Sequence, residues 1–218
     1  MIPVRAVLFD LDGTLHDRNA TVQAWLGGHV ERLGLPVGYA QRFTELDDYG
    51  YRPKEEVFDL LISEHSLNNS YESLFGDFRQ HKASSAQLMP YALDLLHTLR
   101  QSGLKLSIIT NGRTEGQASV LEQLGLLPLI DDVLISEEVG LSKPDPRIYT
   151  LALERLSVSA AETWFVGDSP KNDVWGPQQV GIRAAFLPTG HALNGETPDA
   201  VLRDLRDVLR LDGLPALA

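Results

Sequence analysis

The sequence predicts an α/β protein with a parallel sheet, into which a helical segment is inserted. Short apolar runs rich in Val, Ile and Phe recur along the 218 residues, at positions 6–9, 104–109, 133–135, 164–166 and 184–187. Such runs are typical of strands that are buried on both faces. Segments of helical periodicity separate the later runs, and this alternation indicates parallel strands joined by crossover helices.

The remaining elements follow in order from the same pattern. Helical spacing predicts helices over residues 91–100, 115–124, 148–156 and 174–180, and a last short helix over 203–210 after a polar loop at 189–198. Pro90 suits a first helical position, and Gly103 and Gly125 suit helix C-terminal caps. Ser159 with Glu162 has the pattern of a capping box.

The segment between the first two strands is far longer than a single crossover requires. Its apolar residues fall at helical spacing and predict three or four helices. We therefore expect residues 17–87 to form a helical domain, and residues 1–16 and 88–218 to form the α/β core. Within the insertion we expect Trp25 in the core, His29 at the surface and a solvated polar turn around positions 47–54.

Composition restricts the classes of function. Thirty acidic and nineteen basic side chains give a net charge of -11, which repels nucleic-acid phosphates and anionic lipid. The chain has no cysteine, which excludes disulfides, thiolate nucleophiles and Cys-ligated metal centres. No signal-peptide pattern and no apolar run of about 18 residues are present, so we expect a cytoplasmic protein.

The first strand leads into two carboxylates, Asp10 and Asp12, separated by one residue. On an extended backbone these side chains point the same way and share one site. Two such close negative charges repel, so the arrangement persists best when a divalent cation neutralises it or when one carboxyl is protonated. A plain polar turn is the alternative for this segment taken alone.

Polar side chains also follow the later strands. Thr110 and Asn111 come at the end of the second strand, Lys143 comes between the third and fourth, and Asp168 and Asp173 follow the fourth. Each segment alone fits an ordinary turn, but the carboxyl ends of parallel strands meet at one edge, where open α/β folds bind ligands. Hard oxygen ligands without a His or Cys cluster indicate magnesium.

In their order along the chain and in their residues, these four segments resemble the motifs of the haloacid dehalogenase-like (HAD) hydrolase superfamily. The segments are DLDGTL from Asp10, TNG from Thr110, KP from Lys143 and GDSPKND ending at Asp173. The resemblance extends from position 5 to about position 187. It implies a Rossmann-like parallel sheet core with an inserted α-helical cap domain. We expect the two connections of this insertion, near positions 16–18 and 87–90, to act as hinges.

The resemblance also implies roles for individual residues. Asp10 is then the nucleophile and Asp12 the general acid/base. The phosphate-binding residues are then Thr110, Asn111 and Lys143. The ligands of Mg²⁺ are then Asp10, Asp12 and Asp168, with Asp173 acting through a metal-bound water.

The implied function is a magnesium-dependent phosphatase that hydrolyses a small-molecule phosphomonoester through an aspartyl-phosphate. A phosphomutase shares all four motifs and stays open as an alternative. A 2-haloacid dehalogenase fits less well because Asp12 is present. A phospho-receiver module has another motif order, and a non-catalytic binding module would not need both acids. We expect a monomer or homodimer that acts on a small molecule, with no nucleic-acid or membrane partner.

Overall fold

The computed structural model describes residues 2–215, which form two compact units. The first unit contains the chain up to Asp17 and again from Leu88 onward. The second unit is the intervening segment, Arg18–Gln87. Among the described residues, no helix has the length and apolar character needed to cross a membrane.

The first unit is an α/β unit in which strands and helices alternate. Its strands are β1 (Ala6–Phe9), β2 (Lys105–Thr110), β3 (Asp132–Ile135), β4 (Thr163–Gly167), β5 (Arg183–Phe186) and β6 (Ala200–Val201). The helices of both units are α1 (Arg18–Leu33), α2 (Tyr39–Asp47), α3 (Lys54–His65), α4 (Tyr71–His81), α5 (Ala92–Gln101), α6 (Thr114–Gln123), α7 (Ser136–Val139), α8 (Pro146–Leu156) and α9 (Gly176–Gln178).

The strands form one sheet in the order β3-β2-β1-β4-β5-β6, and every pairing is parallel. β1 lies between β2 and β4, and Phe9 is in register with Ile108 and Val166. All four residues of β1 are buried, as its continuous apolar run predicts. The chain order reverses on either side of β1, so the carboxyl ends of β1, β2 and β4 lie side by side at a topological switch point.

The α/β prediction is confirmed, with local differences. The capping box of Ser159 and Glu162 is present, and Gly103 and Gly125 have the positive φ of helix C-terminal caps. Pro90 is not the first helical residue, because α5 begins at Ala92 after a left-handed Tyr91.

Two later elements also differ from the pattern. The helix expected over 174–180 starts earlier, as a π-helical turn at Pro170–Trp175 that continues into α9. The sequence pattern missed β6, which has only two residues and pairs with β5 at the edge of the sheet. Two residues are too few for a strand periodicity to show.

The second unit is entirely helical and contains α1 to α4. Its core is a cluster of buried apolar side chains from all four helices, with aromatic rings at its centre. Trp25 is 1% exposed and contacts Phe43 and Phe78 edge to face, with ring centroids 5.1 and 5.0 Å apart. The expected core position of Trp25 is confirmed.

A buried carboxylate in α4 corrects the expectation for His29. Asp77 accepts hydrogen bonds from Trp25 Nε1 at 3.0 Å, His29 Nδ1 at 2.7 Å and Arg32 Nε at 2.6 Å. His29 is fully buried and also lies 3.2 Å from the hydroxyl of Tyr39. The surface position expected for His29 is wrong because the helix spacing does not reveal a partner that lies 48 residues away.

The polar turn at 47–54 is not uniformly solvated. Asp47 is only 3% exposed, and its carboxylate lies 2.6 Å from Arg18 Nη1 and 2.6 Å from Lys54 Nζ. Burial alone would raise the pKa of Asp47, but the charges of Arg18 and Lys54 outweigh it and lower this pKa. The turn is therefore anchored to the start of α1 by a buried ion pair.

We expect Asp77→Asn to lower the free energy of unfolding by about 2–4 kcal/mol at pH 7, because the new amide offers N–H donors to groups that need an acceptor. Burial alone would raise the pKa of Asp77, but hydrogen bonds from Arg32 and His29 hold it below its usual range. The stabilisation is therefore present above the pKa of an unfolded aspartate and is lost as the pH falls below about 4.

Urea denaturation of the full chain at several pH values between about pH 2 and pH 7 measures this effect. The matched control is Asp59→Asn, the same change at an exposed position of α3. Equal stability of Asp77→Asn and the control at pH 7 would contradict the structural role of Asp77.

Candidate active site

Acidic and polar side chains collect at the carboxyl edge of the three central strands. Asp10 follows β1, Thr110 is the last residue of β2 and Asp168 follows β4. The Asp10 backbone N–H donates to the Val166 carbonyl at 2.9 Å, so the sheet ladder continues to the acid itself. The rigid sheet thus fixes where these side chains begin.

Lys143 reaches this edge from the segment that connects α7 and α8. Its Nζ donates to Asp10 Oδ1 and to Asp173 Oδ1, both at 2.7 Å. The lysine is only 5% exposed. Burial alone would lower the pKa of Lys143, but the carboxylates of Asp10 and Asp173 outweigh it and hold this pKa above its usual range. Lys143 is therefore a fixed positive charge.

Negative charge exceeds positive charge at this edge. Burial is the main cause that raises the pKa of Asp10, and the carboxylates of Asp173 and Asp12 add to it while Lys143 opposes it. Burial, followed by the charges of Asp10 and Asp173, also raises the pKa of Asp168. One lysine does not neutralise these acids, so the site favours a further cation.

Three of the carboxylates are close enough to share one ion. Among residues 2–215, one ligand oxygen from each of Asp10, Asp168 and Asp173 lies within 4.8 Å of the others. Their three formal negative charges exceed the single positive charge of Lys143 by two. Carboxylate oxygens are the donors that Mg²⁺ prefers. The residues present therefore fit Mg²⁺. The ligand set predicted from the sequence was Asp10, Asp12 and Asp168, whereas the observed cluster contains Asp173 in place of Asp12. The metal-binding role of Asp12 stays a prediction.

Two glycines allow the acids to approach the backbone. A Cβ on Gly13, which has φ of +84°, would lie 2.2 Å from Asp168 Oδ2. A Cβ on Gly167 would lie 2.4 Å from the side chain of Asp173. Both distances are well below contact distance, so any larger residue would push these two acids away from Asp10.

Asn111, one of the three predicted phosphate-binding residues, contacts the backbone of Lys143. Its Nδ2 donates to the Lys143 carbonyl, and its Oδ1 accepts from the Lys143 backbone N–H, both at 2.9 Å. The carboxamide therefore holds the backbone of the lysine by both of its polar ends. Direct phosphate binding by the Asn111 side chain stays a prediction, while its contact with Lys143 is a positioning one.

Asp12 is held outside the acidic cluster. His16 Nδ1 lies 2.6 Å from Asp12 Oδ1, and Gln117 Nε2 donates to Asp12 Oδ2 at 3.0 Å. Gln117 also donates to Thr110 Oγ1 at 2.6 Å. The structure thus connects the predicted acid/base with the predicted phosphate ligand Thr110 through one buried glutamine.

A family model described as haloacid dehalogenase-like hydrolase matches residues 7–187. The chain belongs to the haloacid dehalogenase-like hydrolases. This family assignment confirms the resemblance inferred from the four motifs.

Two relatives with known names match this HAD-like hydrolase over most of its sequence. It is 30% identical to a glyceraldehyde 3-phosphate phosphatase of Methanocaldococcus jannaschii over 188 residues, 82% of each chain. It is 31% identical to a phosphoglycolate phosphatase of Yersinia pseudotuberculosis over 222 residues, 98% of this chain and 95% of the relative. A solved HAD-hydrolase of Bacillus subtilis, bound to magnesium, superposes with a TM-score of 0.82 at 26% identity, covering 95% of this chain and 98% of that chain.

Reasoning from the sequence missed Gln117 in this HAD-like hydrolase and left His16 unassigned. A signal for Gln117 was available, because it lies near the start of α6, and a helix that follows a parallel strand begins at the carboxyl edge of the sheet. His16 comes four residues after Asp12, at the end of a turn in which the His16 N–H donates to the Leu11 carbonyl at 2.9 Å. Neither residue type indicates by itself which group it contacts.

We expect Asn111→Asp to lower the free energy of unfolding by about 1–3 kcal/mol, because a carboxylate oxygen would replace the donor that the Lys143 carbonyl needs. Urea denaturation measures the loss. Asn68→Asp, the same change at an exposed position, is the control. Unchanged stability of Asn111→Asp together with a raised KM would instead assign Asn111 to substrate binding.

Proposed function

We propose that this HAD-like hydrolase is a magnesium-dependent phosphatase that hydrolyses a small-molecule phosphomonoester through an aspartyl-phosphate on Asp10. The observation that carries the proposal is the position of the Asp10 carboxylate. It is buried at the carboxyl edge of the sheet, 2.7 Å from the ammonium of Lys143 and within sharing distance of Asp168 and Asp173. A nucleophilic carboxylate next to concentrated positive charge suits attack on a phosphoryl group.

Asp10 supplies the nucleophile. Lys143 binds Oδ1 and thereby fixes the orientation of the other carboxylate oxygen. An oxygen of Asp10 forms a bond to phosphorus while the bond from phosphorus to the ester oxygen breaks. In the second step water attacks the same phosphorus, and the bond to Asp10 breaks to release phosphate. One difficult displacement is thus divided into two easier ones.

Asp12 moves the protons of both steps. A protonated Asp12 gives its proton to the departing ester oxygen, which is otherwise a poor leaving group. The resulting carboxylate then takes a proton from the water that attacks the aspartyl-phosphate. Acid/base assistance of this kind contributes typically about 10²–10⁴-fold. Thr110 and Lys143 are proposed to bind the phosphoryl oxygens.

Asp10, Asp168 and Asp173 are proposed to hold Mg²⁺, with Asp12 as the additional ligand predicted from the sequence. A bound Mg²⁺ supplies positive charge that stabilises the phosphoryl group as negative charge shifts onto its oxygens. Gly13 and Gly167 keep the space that brings Asp168 and Asp173 to Asp10. Lys143 opposes the effect of burial, which raises the pKa of Asp10, and so favours the ionised carboxylate that attack requires.

The relatives support a small phosphorylated metabolite as substrate, since those reported above are named for glyceraldehyde 3-phosphate and phosphoglycolate. We further propose that the unit Arg18–Gln87 is the substrate-selecting cap domain, and that the protein is a cytoplasmic monomer or homodimer without nucleic-acid or membrane partners. A phosphomutase, a dehalogenase and a non-catalytic binding module are the alternatives to this proposal.

We expect the full chain with Mg²⁺ to release phosphate from p-nitrophenyl phosphate and from at least one of glyceraldehyde 3-phosphate, phosphoglycolate, phosphoserine, hexose phosphates and nucleoside monophosphates. EDTA abolishes turnover and Mg²⁺ restores it. Isomerisation of a hexose 1-phosphate without phosphate release indicates a mutase. Halide release from 2-chloropropionate without metal indicates a dehalogenase, and binding without any turnover indicates a binding module.

Asp10→Asn removes the nucleophile, so we expect kcat for p-nitrophenyl phosphate to fall by at least about 10³-fold and the burst of nitrophenol to disappear. The control is Asp94→Asn, the same change on an exposed position of α5, which should keep wild-type kcat. Rapid quench followed by trapping of the phosphorylated protein measures the intermediate directly. A phosphorylated Asp10→Asn protein would assign the nucleophile to another residue.

A further inference from the structure

The carboxylate of Asp12 is held at both of its oxygens by the side chains of His16 and Gln117. His16 Nδ1 lies 2.6 Å from Oδ1, and Gln117 Nε2 lies 3.0 Å from Oδ2. The Asp12 side chain itself is 25% exposed, whereas His16 is fully buried and Gln117 is 5% exposed. The two partners are therefore much less free to move than the acid that they hold.

The contact with His16 is built into the turn that carries Asp12. The His16 N–H donates to the Leu11 carbonyl, and the Gly13 N–H donates to the His16 carbonyl, both at 2.9 Å. These bonds hold the backbone of the turn that carries both Asp12 and His16. Because an ionised carboxylate only accepts hydrogen bonds, His16 is the donor and its Nδ1 carries the proton.

The contact with Gln117 is exchangeable, because the Gln117 amide nitrogen has two hydrogens and three acceptors within reach. Its Nε2 lies 2.6 Å from Thr110 Oγ1, 3.0 Å from Asp12 Oδ2 and 3.3 Å from the Asn111 carbonyl. An NH₂ group donates two hydrogens, so one of these three acceptors is released at any moment. Gln117 can leave Asp12 without stranding a buried donor.

We propose that His16 and Gln117 are positioning residues for the proton transfers of Asp12: His16 fixes Oδ1, and Gln117 alternates between Oδ2 and its two other acceptors. This inference rests on the proposed phosphatase function. In the first step the proton moves from Oδ2 to the departing ester oxygen, and a Gln117 hydrogen turns to Oδ2. In the second step the proton of the attacking water moves to Oδ2, and Gln117 turns to Thr110 and the Asn111 carbonyl.

The test compares two esters of similar size that differ in their need for a proton. Benzyl phosphate releases an alcohol and needs the acid, whereas p-nitrophenyl phosphate releases a stable phenolate and needs it much less. We expect His16→Leu and Gln117→Met to lower kcat/KM for benzyl phosphate by about tenfold or more, and for p-nitrophenyl phosphate by less than about threefold.

The conservative variant His16→Asn keeps an N–H donor near the position of Nδ1 and should recover most of the activity on benzyl phosphate. In the Asp12→Asn background, His16→Leu and Gln117→Met should have little further effect on benzyl phosphate, because they act through the group already removed. Equal losses on both esters, or losses that add fully to that of Asp12→Asn, would overturn the inference.

The outcomes separate this inference from the proposed function. Wild-type turnover of p-nitrophenyl phosphate with Mg²⁺ supports the function whatever the variants do. A wild type that hydrolyses no ester removes the function and this inference with it. Thermal melting checks each variant for folding, and if His16→Leu does not fold, Gln117→Met and His16→Asn decide the result.

Discussion

The ion-pair contact of Lys143 with Asp10 and Asp173 is the interaction on which the site depends. Three parts of the chain meet there, and each brings a charge that would be costly to bury alone. The parallel sheet forces the acids together, since β1 and β4 are neighbours and both end at this edge. Lys143 offsets only part of their repulsion, and the remaining negative charge is what makes the edge suited to a divalent cation.

Neutral groups decide how closely those charges approach one another. The carboxamide of Asn111 holds the backbone of Lys143 at both its N–H and its carbonyl. Gly13 and Gly167 leave room where a Cβ would collide with Asp168 and Asp173. A charged site of this kind therefore needs uncharged supporting residues, here Asn111, Gly13 and Gly167, because electrostatic attraction alone does not fix side-chain orientation.

The parts of this arrangement that follow from chain order could be predicted from the sequence. A buried run such as β1 ends in an acid, parallel strands share a carboxyl edge, and the meeting of Asp10 with Asp168 follows from these two facts. The supports could not be predicted in the same way. A side-chain amide can form hydrogen bonds with a ligand or with the backbone equally well, so the identity of Asn111 or Gln117 does not indicate its partner. The partner of His29 is an acid 48 residues away in the sequence.

Asp77 in the helical unit and Asp168 at the edge of the sheet show how the charges around a buried acid distinguish a structural role from a chemical one. Asp77 is 8% exposed and Asp168 is also 8% exposed, yet their pKa values move in opposite directions. Burial raises the pKa of both acids, but around Asp77 the donors of Arg32, His29 and Trp25 outweigh burial. Around Asp168 further carboxylates add to it. A carboxylate that is satisfied by its neighbours stabilises a fold, whereas one left short of positive charge is available to a cation or a proton. By this criterion the chemistry belongs at the carboxyl edge of the sheet, and the polar core of the helical unit is structural.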